Sequence, residues 1–134
     1  NDPSNEGRAL RVLEASGLIK LKPEAGILAT PIDVIENPKK IEIKELDAGV
    51  VGRSIDDLDV AIVNNDWAAK AGLKKEEAIG WESKENNPYN NFIAVRTEDE
   101  NAEWVKNLVA SFQNDAVKAE LDRVYKGTGI PAWN

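Results

Sequence analysis

The chain reads as α/β, and three stretches carry that reading. Residues 59–63 (Asp59, Val60, Ala61, Ile62, Val63) form a nearly continuous apolar run, as expected of a central strand covered on both faces. Residues 41–46 alternate Ile, Glu, Ile, Lys, Glu, Leu, the two-residue period of a strand with one buried face. Trp104, Val105, Leu108, Val109 and Phe112 recur at helical spacing, and Val117, Leu121, Val124 and Tyr125 repeat the pattern.

The size of 134 residues fits one average domain or pieces of two. Hydrophobic residues at 42% and charged residues at 31% give a globular rather than a disordered balance. A formal net charge of -7, with no basic face, makes nucleic acid a poor partner. No apolar run approaches the length that spans a bilayer. Cysteine, histidine and methionine are all absent, which removes thiolate nucleophiles, imidazole bases and the usual zinc and copper ligands. Nothing in the residues calls for a cofactor.

In chain order, Asn1-Asp2-Pro3-Ser4-Asn5-Glu6-Gly7-Arg8 leads into a helix over residues 5–16. Ser4 or Asn5 suits its N-cap, Pro3 bars an earlier start, and Gly17 suits its end. Gly7 leaves the first turn bare, so a second group can approach the backbone. Residues 18–21 form a short extended link and residues 22–30 a loop. Thr30-Pro31 opens a short helix over residues 32–35, closed by Asn37-Pro38. The strand at 41–46 follows, then a connection at 50–53 and a single helical turn at 54–58. The central strand at 59–63 ends in Asn64-Asn65-Asp66, at the carboxyl end, where open α/β sheets place their ligands. Residues 67–71 form a short helix stopped by Gly72, and residues 74–78 a helical turn. Residues 82–88 are polar and turn-rich, the best place for a domain crossing, which divides the chain into residues 1–87 and 88–134. A strand over residues 89–96 precedes the two C-terminal helices, whose apolar faces need more sheet than one strand supplies.

The opening octad is the candidate site. Helix-end amides, the positive end of the helix dipole and the Arg8 guanidinium together suit a small anion such as a carboxylate. An ordinary capped helix with a solvated arginine explains the same residues, and on the residues alone it is the commoner arrangement. Asp56, Asp57 and Asp59 lack the ligand alternation and glycine of a calcium loop, and read as a solvated loop. Trp104 lies in a helical stripe and reads as core, whereas Trp67 and Trp81 could line a pocket or fill core. No nucleophile elbow, phosphate loop or dinucleotide fingerprint is present, so a binding protein leads an enzyme.

The octad, with Gly17-Leu18-Ile19-Lys20-Leu21-Lys22, resembles the methionine-binding lipoproteins of bacterial ABC importers, the MetQ/NlpA family. The likeness continues through residues 33–40, Glu45-Leu46-Asp47-Ala48, residues 53–57, Ile62-Val63-Asn64 and Pro88-Tyr89-Asn90-Asn91, to the C-terminal helices. The resemblance implies a type II periplasmic-binding-protein fold, in which a ligand sits between two α/β lobes. It implies that this chain supplies the C-terminal half: most of the second lobe without its first strand, plus the returning part of the first lobe. An N-terminal half, or another chain, would then cover the truncated lobe. Localisation would be periplasmic or cell-surface, with a lipid anchor on a segment absent from this chain.

By the same resemblance, Arg8 is expected on an amino acid's carboxylate and Asn5 beside it. Asn64 and Asn91 match the family's asparagines at the end of the central strand and after the Pro-Tyr pair. Carboxamide oxygens suit an ammonium and a guanidinium suits a carboxylate. Two departures stand near these positions: Asn65-Asp66-Trp67, where many relatives carry a small residue and then Tyr, and Asn90, where an apolar residue is usual. The implied role is a non-enzymatic solute-binding protein that delivers an amino acid, L-methionine as first choice, to a membrane permease. The alternative is a non-transport surface or interaction protein that keeps the scaffold.

Overall fold

The computed structural model describes residues 2–133. It divides into two compact units, Asn1–Pro88 and Tyr89–Asn134.

The first unit is built on α1 (Glu6–Ala15) and a short antiparallel ribbon of β1 (Lys20–Leu21) and β2 (Val34–Glu36). Gly17, at φ 69°, ends α1: its N–H reaches Glu14 O at 2.8 Å, and Leu18 N reaches Leu13 O at 3.0 Å. Those two bonds satisfy carbonyls that the helix itself leaves open. In the ribbon Lys20 lies opposite Glu36 and Leu21 opposite Val34, with an irregularity between them. Leu10, Ile19, Leu21 and Ala29 form the buried core, and Leu13, Ala25, Val34, Ile41 and Ile43 pack against it.

The helix expected over residues 32–35 is one 3-10 turn, Pro31–Asp33, after which Val34 and Ile35 enter β2. The Asp33 carboxylate accepts from Thr30 N at 2.9 Å and holds the turn closed. The β-branched pair beyond it then goes to the ribbon, where branched side chains fit well.

The strand expected at 41–46 has no ladder among the described residues. Its alternation survives as burial, with Ile41 and Ile43 on the core and Glu42 and Lys44 exposed. Asn37 takes the role of a neighbouring strand, donating to Ile41 O at 2.9 Å and accepting from Ile41 N at 2.8 Å. The expected strands at 59–63 and 89–96 are likewise unpaired among the described residues. Val60 is 47% exposed, so residues 59–63 are not a strand covered on both faces here. A ladder needs a second segment to exchange bonds with, whatever the apolar pattern says.

The connection read at 50–53 instead holds part of a helical turn, α2 (Ala48–Val51), capped where Asp47 Oδ1 accepts from Gly49 N at 2.8 Å. A 3-10 turn, Ile55–Asp57, follows, then α3 (Asn65–Lys70), with Asn64 at its N-cap position.

The second unit holds α4 (Glu103–Phe112) and α5 (Asp115–Tyr125). Asn114 accepts from Val117 N at 3.0 Å and so caps α5. Val105 is the buried apolar residue among those described in this unit. Trp104 is 52% exposed, against the reading of it as core, as are Phe112 at 54% and Val124 at 52%. Among the described residues, no helix is long and apolar enough to cross a membrane.

Candidate functional site

The site forms where α1 begins. Asp2 tightens the entry: its carbonyl accepts from Asn5 N at 2.9 Å and Glu6 N at 2.8 Å, and its Oδ1 from Ser4 N at 2.9 Å. Asn5 therefore sits at the N-cap position without using its side chain as a cap. Its carboxamide turns to other work, donating from Nδ2 to Asp2 Oδ2 at 2.6 Å. Its Oδ1 accepts from Arg8 Nη1 at 3.4 Å and from Asn64 Nδ2 at 3.3 Å. Asn5, Arg8 and Asn64 thus converge on one carbonyl oxygen, although Asn64 lies 59 residues from Asn5. Asn91 belongs to the second unit, where it is exposed.

Sequence reasoning missed Glu82. Its carboxylate grips Arg8 side-on, Oε2 accepting from Nε at 2.6 Å and Oε1 from Nη2. The two side chains are 31% and 33% exposed, so the pair is shielded but not sealed from water. The Arg8 guanidinium holds the Glu82 carboxyl below the usual carboxylate range, with burial opposing and the Asn87 amide assisting. The Asn5 amide and the Ser4 N–H likewise hold Asp2 low. Glu6 goes the other way. Burial pushes it up, and a hydrogen bond shared with Glu45 adds to the effect. The only signal for Glu82 in the sequence was that an arginine on a half-buried first turn needs a counter-charge. Nothing local says which of the 24 acidic residues supplies it.

Gly7 shows what approaches the bare first turn. A Cβ there would lie 2.4 Å from Ile27 O and 2.8 Å from Ala29 N, so the chain's own loop fills that space. Among the described residues, no group of three His, Cys, Asp or Glu side chains is placed to hold a metal ion. What remains is a guanidinium and two carboxamides beside two carboxylates, a set that can hold a small polar molecule by hydrogen bonds and charge.

A family model described as NlpA lipoprotein matches residues 1–133. The chain belongs to that family. This NlpA-family chain is 39% identical over 133 residues to a protein of Haemophilus influenzae named as a probable D-methionine-binding lipoprotein MetQ, covering 99% of the chain and 49% of the relative. It is 41% identical to the D-methionine-binding lipoprotein MetQ of Escherichia coli K12, covering 99% of the chain and 50% of that protein. The chain spans about half the length of the curated relatives it matches. Among solved structures it resembles a nutrient-binding protein of Burkholderia cenocepacia bound to methionine, with 46% identity and a TM-score of 0.74, over 95% of this chain and 54% of that one. A YaeC-family lipoprotein of Enterococcus faecalis gives a TM-score of 0.82 at 35% identity, over 98% of this chain and 56% of that one. The fold class is therefore α/β of the type II periplasmic-binding-protein kind, of which the NlpA-family chain supplies a part.

Proposed function

We propose that the protein containing this chain is an extracytoplasmic solute-binding component of an ABC importer, and that its ligand is an amino acid, with L-methionine the first choice. The observation that carries the reading is the convergence of Asn5, Arg8 and Asn64 at the start of α1. In it a guanidinium suited to a carboxylate stands beside carboxamides whose oxygens suit an ammonium. Methionine is favoured because relatives carry it in their names and one related structure holds it. Asn91 is included as a ligand residue on the family resemblance at Pro88-Tyr89-Asn90-Asn91. Closure over the ligand presents a surface to the permease, and no bond is made or broken. Anchoring is by lipid, through a segment outside this chain, in the periplasm or at the cell surface. The segment that completes the first lobe, or another chain, covers the exposed faces of α4 and α5.

Calorimetry on the complete protein tests this. L-methionine should bind with measurable heat, and Arg8→Ala should weaken it by at least tenfold, since a charge-assisted hydrogen bond contributes about 1.5–3 kcal/mol. Unchanged affinity in Arg8→Ala rejects the carboxylate role. D-methionine, run in parallel, reports the stereochemical preference. The absence of heat with every free amino acid would favour an interaction protein that kept the scaffold.

A further inference from the structure

We infer that Glu82 is a positioning residue for ligand binding: it fixes the Arg8 guanidinium so that its Nη1 end faces the carboxamides of Asn5 and Asn64. The inference rests on the reading of Arg8 as the carboxylate partner and goes one residue beyond it.

An arginine side chain has several rotatable bonds, and holding its planar fork in one orientation costs side-chain entropy. A ligand that had to supply this ordering would bind more weakly, which is the general advantage of a site ordered in advance. Glu82 is placed to do the ordering. It takes the Nε and Nη2 edge, and the remaining nitrogen, Nη1, points to Asn5 Oδ1 at 3.4 Å. The same oxygen receives Asn64 Nδ2 at 3.3 Å, so the oriented end of the guanidinium lies on the carboxamide side.

Glu82 is itself anchored. The Asn87 amide bonds to it, and Asn87 Nδ2 also donates to Ser83 O at 3.0 Å. Ser83 Oγ accepts from Glu85 N at 3.2 Å, which closes the turn that carries the carboxylate. A carboxylate bonded to the guanidinium through both oxygens makes a platform for the arginine rather than a loose counter-ion. Its charge matters too. With Asp2 and Glu82 against one guanidinium, the cluster carries more negative than positive charge, which favours a ligand bringing its own ammonium over a plain carboxylate.

The test is a double-mutant cycle on the complete protein, read as L-methionine affinity by calorimetry. Glu82→Gln keeps the shape but puts an amide N–H₂ where one acceptor stood. It should weaken binding by about tenfold or more in the parent. In an Arg8→Lys background the same change should cost far less, because a lysine ammonium is a point charge with no fork to orient. If Glu82→Gln fails to fold, Glu82→Asp replaces it in the cycle, since the carboxylate is then withdrawn by one methylene. Equal losses in both backgrounds would mean that Glu82 supports only the fold, and would overturn the inference. Unchanged or tighter binding in Glu82→Gln would also overturn it, the latter identifying Glu82 as a competitor that the ligand displaces. Either failure, alongside a large loss in Arg8→Ala, leaves the carboxylate role of Arg8 standing. Unchanged affinity in Arg8→Ala removes both.

Discussion

A single methyl group at residue 7 is incompatible with the way α1 packs. The Cβ of an alanine would meet backbone atoms of Ile27 and Ala29, and Ala29 is buried in the core. Backbone cannot swing aside as the tip of a side chain can, so either α1 or the loop must shift. Overpacking of this kind costs about 1–3 kcal/mol, against a gain of about 1 kcal/mol from helix propensity. Gly7→Ala should therefore lower stability, read as a lower midpoint in urea unfolding. The bare turn was legible in the sequence because glycine in a first helical turn is a local fact. Arg8 was legible as chemistry that fits an anion, whereas Asn5 read locally as an N-cap and its place beside Arg8 came only with the family resemblance. Glu82 was not legible, since an acidic residue in a polar turn looks like any other until the chain folds.

Elements divide along the same line. Every helix that positions the site or forms the C-terminal pair was readable, because a helix satisfies its hydrogen bonds within a few residues. The three expected strands were misread as ladder partners, because a strand's bonds go to a segment the local pattern cannot name. Residues 41–46 show how much the pattern still conveys: the apolar side chains face the core although the ladder is missing. The junction of α4 and α5 gives a direct test of a local bond. Asn114 caps α5 through Val117 N, and its Nδ2 donates back to Ser111 O at 2.8 Å. Asn114→Ala removes these links, and the one from Nδ2 to Ala110 O at 3.2 Å, and should cost about 1 kcal/mol, within the range for lost N-caps. Faster amide hydrogen exchange in the first turn of α5 would register the loss.

At the scale of the molecule, apolar surface stands in the open. Phe92, Trp104, Phe112 and Val124 in the second unit are each more than half exposed, and Ile32 and Ile79 in the first are 85% and 92% exposed. Exposed apolar groups in such number mark surfaces prone to interaction or association. The 134-residue chain, prepared by itself, should bind a hydrophobic dye and should appear in native mass spectrometry as species heavier than its 14.7 kDa monomer. A stable, dye-silent monomer would contradict that. The alternation and the helical stripes announced these faces in the sequence, but not what lies against them. The separation of 74 residues between Arg8 and Glu82 has a consequence for biosynthesis. Translation runs at about 5–20 residues per second, so the arginine leaves the ribosome several seconds before its acid partner exists. Until then water solvates the guanidinium, and α1 can form without any binding geometry. The ion pair that orients the Arg8 fork therefore forms late, among the last contacts the nascent unit acquires.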